Sequence, residues 1–143
     1  MEWAQQQAIR IADEENAVRQ NRESRLLRAE IVKNDAPTLF ENLAGQIERC
    51  VAEVNFAIGE VRLQCEREPG YIALTQQRIP QSSLRLRHRE TLISVKKRTV
   101  VRYPSTMDTE WVIDYTIDEN NKVSLAGSSG LEDAAQRLIE KII

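Results

Sequence analysis

At residue 60 the apolar rhythm of this chain changes from a period near 3.6 to a period of 2. A helical stripe cannot serve as a strand face, nor an alternating face as a helix stripe, so the change divides the chain into a helical first part and a strand-forming second part. Strands that follow one another without intervening helical segments point to an antiparallel sheet and an α+β fold.

Ahead of the change, residues 2–33 contain neither Pro nor Gly and are rich in Ala, Gln, Glu, Arg and Leu, all good helix formers. Ala4, Ala8, Ile11, Val18, Ala29 and Val32 fit a heptad, but Glu15, Arg22 and Arg25 interrupt the same stripe. Such a helix is stable only where something packs on it. It either lies across the domain with a frayed start or protrudes to pair with another chain. Ala36-Pro37 predicts a break, because a residue before proline avoids the helical region. Thr38 and Glu41 then read as a capping box that starts a second helix. Leu39, Phe40, Leu43, Ile47, Cys50, Val51, Val54 and Ile58 form its apolar stripe, and Gly59 is its stop.

After residue 60, six short strands are expected. Val61, Leu63 and Cys65 alternate, Pro69-Gly70 suits the centre of a type II turn, and Ile72 and Leu74 follow before a break at Ile79-Pro80. A tight turn at Glu90-Thr91 pairs residues whose numbers sum to 181, placing His88 beside Ile93 and Leu86 beside Val95. A loop over residues 104–108 pairs residues summing to 212, so Val101 faces Trp111, Val95 faces Ile117, Arg98 faces Asp114 and Arg102 faces Glu110. A loop over residues 119–121 pairs residues summing to 240, so Ile117 meets Val123 and Tyr115 meets Leu125, with Asn121 suited to a left-handed position. Most apolar side chains then share one face, and a one-residue slip would turn them outward. Lys97 and Thr99 misfit, and a bulge would rescue the pattern. Ser129 and Glu132 read as a second capping box, opening a final helix over Leu131–Ile143.

The expectation is therefore one α+β domain over residues 1–143, with two N-terminal helices, a six-stranded antiparallel meander carrying helices on one face, and a C-terminal helix. A chain of 143 residues buries enough surface for a core without metal or disulfide staples. Cys50 and Cys65 are expected as buried thiols in a cytoplasmic protein, since no secretion signal precedes them. No apolar run reaches the length of a membrane span, and a net charge of −2 gives no overall attraction to nucleic acid.

Chemistry is sparse. His88 is the single histidine, with no carboxylate or thiol at metal-ligand spacing, so no metal, cofactor or catalytic residue is expected. Carboxylate pairs such as Glu66/Glu68 and Asp108/Glu110 fall in turns and at strand ends, where solvation is their ordinary fate. Gly127–Gly130 precedes a helix, but Glu132 and Asp133 in the first turn would repel a phosphate.

Charge segregation is the remaining signal. Residues 78–102 hold eight basic side chains and one acid, whereas residues 104–143 hold eight acids and three bases. Cross-strand pairs account for part of this band. Yet Arg85 is placed opposite Lys96, and like charges directly opposed destabilise a sheet. Tyr71 shares the outward parity and offers Arg87 a cation–π contact. An outward basic surface of Tyr71, Arg85, Arg87, Arg89, Lys96 and Arg98 follows. Its expected partner is an acidic protein surface, with the Asp13–Glu15 stretch of the same chain or of a symmetry mate as one source. RNA is the weaker alternative, because stacking residues are scarce. The other alternative, a small-molecule binder or enzyme, would use a pocket between sheet and second helix, lined by His88, Lys97, Tyr103, Trp111 and Tyr115. The leading expectation is a non-catalytic interaction module that self-associates through its N-terminal helix.

Overall fold

The computed structural model describes residues 2–78, 80–102 and 104–143. One helix, α1 (Glu2–Ile58), precedes a six-stranded antiparallel meander: β1 (Leu63–Glu68), β2 (Tyr71–Gln76), β3 (Ser82–His88), β4 (Leu92–Arg102), β5 (Ser105–Ile117) and β6 (Val123–Leu125). A second helix, α2 (Leu131–Glu140), closes the chain. The α+β class and the six-stranded antiparallel sheet are as the sequence suggests.

The two expected N-terminal helices are a single helix of 57 residues with Pro37 inside it. An interior proline removes the hydrogen bond to the carbonyl four residues back and crowds it, at a cost of about 3 kcal/mol or more. Two local facts offset this. Pro37 and Lys33 are both exposed, so water can reach the carbonyl that loses its partner. On the opposite side, Val32, Ala36, Phe40, Leu43, Ala44 and Ile47 are all buried, and keeping the helix intact holds that stripe against the sheet. The Thr38–Glu41 capping box is absent, and Glu41 is used elsewhere. Gly59, with φ +84°, does end the helix, its N–H donating to the Asn55 carbonyl at 2.9 Å.

Asn55 organises the passage from helix to sheet. Its Oδ1 accepts the N–H groups of Arg62 and Leu63, each at 3.0 Å, and its Nδ2 donates to the Leu63 carbonyl at 2.9 Å. One amide thus meets three backbone groups, of which the Arg62 N–H is shared with the Glu60 carbonyl at 3.1 Å.

Alternation sets the sheet's inner face. Leu63, Ile72, Leu74, Leu84, Leu86, Ile93 and Val95 are almost fully buried beneath the second half of α1. The β1–β2 turn places Gly70 at φ +73°. Pairing of β3 with β4 puts His88 opposite Ile93, and pairing of β5 with β6 puts Tyr115 opposite Leu125. Asn121 is left-handed at φ 59°, and the Asp118 carboxylate accepts the N–H groups of Asn120 and Lys122 across that turn.

The β4–β5 register differs from expectation. Val95 faces Trp111 rather than Ile117, Ile93 faces Ile113, and β5 already begins at Ser105, so the expected 104–108 loop is mostly strand. The hairpin extends beyond the core. After Val95 neither strand has a fully buried residue until Tyr115. Lys97 and Thr99 need no bulge: they keep the core parity opposite buried Leu84 and Ser82 of β3 while remaining only partly buried themselves. The register shift lies further along, between Val100 and Arg102.

At the end of the chain, α2 stops at Glu140 rather than Ile143. The expected Ser129–Glu132 box is replaced by a bond from the Ser129 N–H to the Asp133 carboxylate, 3.1 Å away. Ala134, Ala135, Leu138 and Ile139 are buried, and α2 packs along α1. No helix among the described residues is long and apolar enough to cross a membrane.

Candidate functional site

Three places in this fold carry polar chemistry or unpartnered surface: the outer face of the sheet, the junction of α1 with His88 and the β1–β2 turn, and the first half of α1.

On the outer face, period-2 alternation sends Tyr71, Arg85, Arg87 and Lys96 away from the core. Tyr71 and Arg87 are register partners, and the guanidinium lies 4.9 Å from the centre of the Tyr71 ring. Arg85 sits opposite Lys96, as the β3–β4 spacing implies. The acids of β5 fall differently from expectation. Asp108 rather than Asp114 faces Arg98, accepting bonds of 2.9 and 3.2 Å from its guanidinium, and Glu110 lies 3.7 Å from Lys96. The Arg98 bond holds the Asp108 carboxyl below its ordinary range. Both ion pairs are exposed, so each is worth little in stability. What they do is neutralise Lys96 and Arg98 within the band. Arg85, Arg87 and Arg89 have no carboxylate partner among the described residues. The uncompensated charge therefore concentrates on β3 and its turn, and Arg85 lines both shallow depressions of this face.

The expected pocket residues do not meet at one site. His88 and Tyr115 come together: Nδ1 and the phenol oxygen are 2.8 Å apart, with the rings 5.5 Å apart, and the Phe40 ring lies tilted 5.9 Å from the imidazole. Burial pushes the His88 pKa down and that of Tyr115 well up, and the two side chains share one hydrogen bond. Trp111 lies instead beside α2, with the Lys141 ammonium 5.9 Å from its ring centre. Lys97 lines the outer depression with Arg85 and Lys96. Tyr103 lies outside the described residues, as does Ile79 of the expected break. The gap between sheet and helix is filled by Phe40, Leu43 and Ile47, each at most 1% exposed.

A cluster that sequence spacing does not reveal joins α1 to the first hairpin. One oxygen of Glu41 accepts the Gly70 N–H at 2.9 Å, and the other accepts from Arg67 at 2.9 Å. Arg67 also bonds the Glu48 carboxylate and, at 3.1 Å, the Glu41 carbonyl. The Gly70 bond first, and then Arg67, hold the Glu41 carboxyl below its ordinary range. Glu41 and Glu48 both lie on α1, whereas Arg67 lies on β1, 26 and 19 positions away from them, so only the fold brings it to the two acids. Their geometry is that of a clamp on the β1–β2 turn. Cys50 and Cys65 are free thiols whose pKa values burial raises, which disfavours the reactive thiolate. Among the described residues no three His, Cys, Asp or Glu side chains group as metal ligands.

The first half of α1 makes the third surface. From Glu2 to Glu30 every residue is exposed except half-buried Gln7, a length of about 43 Å at 1.5 Å per residue. Trp3, Ile9, Ile11, Val18, Leu26 and Leu27 are each more than half exposed. Asp13–Glu15 do not fold back onto the basic sheet face: all three are exposed, and Glu14 pairs with Arg10 at 3.2 Å.

These surfaces define a helix-armed α+β domain. No protein-family model, no curated protein and no solved structure matches this chain.

Proposed function

We propose that the protein is a non-catalytic interaction module that self-associates through the first half of α1. The exposed arm is the observation that carries this reading. Isolated helices are marginal in water and owe most of their stability to packing of an apolar face. Here residues 2–30 are exposed apart from half-buried Gln7 and still present large apolar side chains. A second chain supplies the missing contact. Consistent with a non-catalytic role, the one histidine is tied to Tyr115 against Phe40, and both thiols have raised pKa values.

Light scattering over a range of concentrations tests the reading. The mass is expected to rise above that of one chain, and Ile11→Glu with Val18→Glu, both on the exposed arm, to return it to one. A mass of one chain at every concentration rejects self-association.

The β3 side of the sheet supports a second contact, with an acidic protein surface. Its motive is that Arg85, Arg87 and Arg89 have no carboxylate partner among the described residues, with Arg85 directly opposite Lys96. Among the described residues Tyr71 is the single aromatic on this face, which favours acidic protein over RNA. Salt-sensitive binding to polyglutamate, lost in Arg85→Ala with Arg87→Ala, is the expected result; binding to single-stranded RNA and not to polyglutamate would replace this reading with the nucleic-acid one.

A further inference from the structure

We infer that the arm pairs with a second copy of this chain as an antiparallel two-stranded coil, with facing residue numbers summing to 33. The inference rests on the self-association reading and adds partner, direction and register to it.

The seam comes first. Alternating steps of four and three residues join Ala4, Ala8, Ile11, Glu15, Val18 and Arg22, and continue through Arg25 to Ala29. All of these are exposed, and the repeat is that of a coiled-coil face. Alanines near both ends of the seam let two backbones approach closely.

Direction follows from the charges. A parallel in-register pair would stack Glu15 on Glu15, Arg22 on Arg22 and Arg25 on Arg25, three like-charge layers inside a short coil. Antiparallel pairing removes all three. It lays the acidic stretch Asp13–Glu15 alongside the region of the partner that begins the basic series Arg19, Arg22, Arg25 and Arg28.

Register follows from length. The seam allows facing sums that differ by seven, namely 26, 33 and 40. The arm ends where Val32, 9% exposed, enters the core. A sum of 40 would drive each N-terminus past that point, onto the face of α1 that its own sheet already covers. A sum of 26 would leave the basic end of the arm without a partner. A sum of 33 sets residue 2 opposite residue 31, so the full exposed arm is used and each N-terminus stops at the partner's domain. The layers are then Ala4 with Ala29, Ala8 with Arg25, Ile11 with Arg22 and Glu15 with Val18, each made twice. No layer holds two like charges, and Glu15 lies within one turn of the partner's Arg19. The two domains sit at opposite ends of the rod.

Cross-linking of the full chain tests the geometry, using Ala4→Cys and Ala29→Cys, a short bis-maleimide and the wild-type chain as control for Cys50 and Cys65. A mixture of the two variants is expected to yield a cross-linked dimer, while each variant alone yields none, because like positions lie at opposite ends of the coil. Self-linking of Ala4→Cys establishes parallel pairing and overturns the inference. A dimer by scattering whose mixed variants do not link overturns the register while leaving self-association intact. A mass of four chains overturns the two-stranded form, since a larger bundle would also cover Ile9 and Leu27 on the far side of the helix. A monomer at all concentrations removes the inference together with the reading beneath it.

Discussion

Residues 2–31 and 32–58 of α1 share one unbroken helical backbone but are held by different physics. The second half buries Ala36, Phe40, Leu43, Ala44 and Ile47 to within 1% of complete, and its polar edge clamps the first hairpin through Glu41 and Glu48. In the first half only Ile31, at its very end, packs against the core, and residues 2–30 are exposed apart from half-buried Gln7. Its helix depends on residue propensity, on local pairs such as Arg10–Glu14, and on continuation from a nucleus that the packed half has already formed. Extending a helix from an existing turn avoids the unfavourable nucleation step. One half of α1 therefore belongs to the fold, and the other is an exposed extension.

Truncation in the packed half should have the largest effect. Phe40 is 1% exposed and lies tilted against His88, so Phe40→Ala should cost about 3–5 kcal/mol of unfolding free energy through lost burial and a cavity. Val18→Ala in the arm should change the stability of the monomer by less than about 0.5 kcal/mol, as surface substitutions ordinarily do. Urea unfolding measured below the association concentration compares the two. Similar losses would mean that the arm is packed on the domain after all.

Pro37 gives the next largest effect, and its sign is informative. Within a continuous helix, Pro37→Ala restores the hydrogen bond to Lys33 and relieves the clash, about 3 kcal/mol on the propensity scale. The added freedom of the unfolded chain takes back about 0.4–1 kcal/mol. A net gain near 2 kcal/mol is expected. Were residues 2–33 and 37–58 separate helices with proline in a first turn, the substitution would be neutral or destabilising. The same urea experiment decides.

That ambiguity shows what the sequence could and could not reveal. The stripe Phe40–Leu43–Ile47–Val51 was legible because its period and its burial coincide. Local proline rules pointed to a break, and tertiary packing of Ala36 and Phe40 overrode them. The turns at Pro69-Gly70, Glu90-Thr91 and Asn121 were legible because turn chemistry and apolar alternation agree there. In the β4–β5 hairpin the strands run past the core, and polar alternation fixes no register. Charge could not decide either: the expected register offered Arg98–Asp114 and Arg102–Glu110, while the fold uses Arg98–Asp108 and Lys96–Glu110. On the outer face, the Tyr71–Arg87 contact and the Arg85–Lys96 opposition were readable from hairpin spacing. The clamp of Glu41, Arg67, Glu48 and Gly70 was not, because it depends on how α1 lies across the hairpin.

A matched pair of glycine substitutions gives the smallest effect and the sharpest division between the two halves. Glycine in a helix interior costs roughly 1 kcal/mol relative to alanine wherever the helix is formed. At Ala44, fully buried, the penalty falls on the folding transition itself, with a further loss from the missing methyl group. At Ala17, exposed and off the seam, the domain can remain folded while the arm frays, so the penalty appears only in local opening. Hydrogen exchange should then speed up about fivefold for arm amides N-terminal to Ala17→Gly, as ~1 kcal/mol implies, while exchange of the β3 and β4 amides is unchanged. Ala44→Gly should accelerate the slowest-exchanging amides of the sheet. If Ala17→Gly also accelerates them, the arm and the domain open as one unit, and the division of α1 into a packed half and an extension fails.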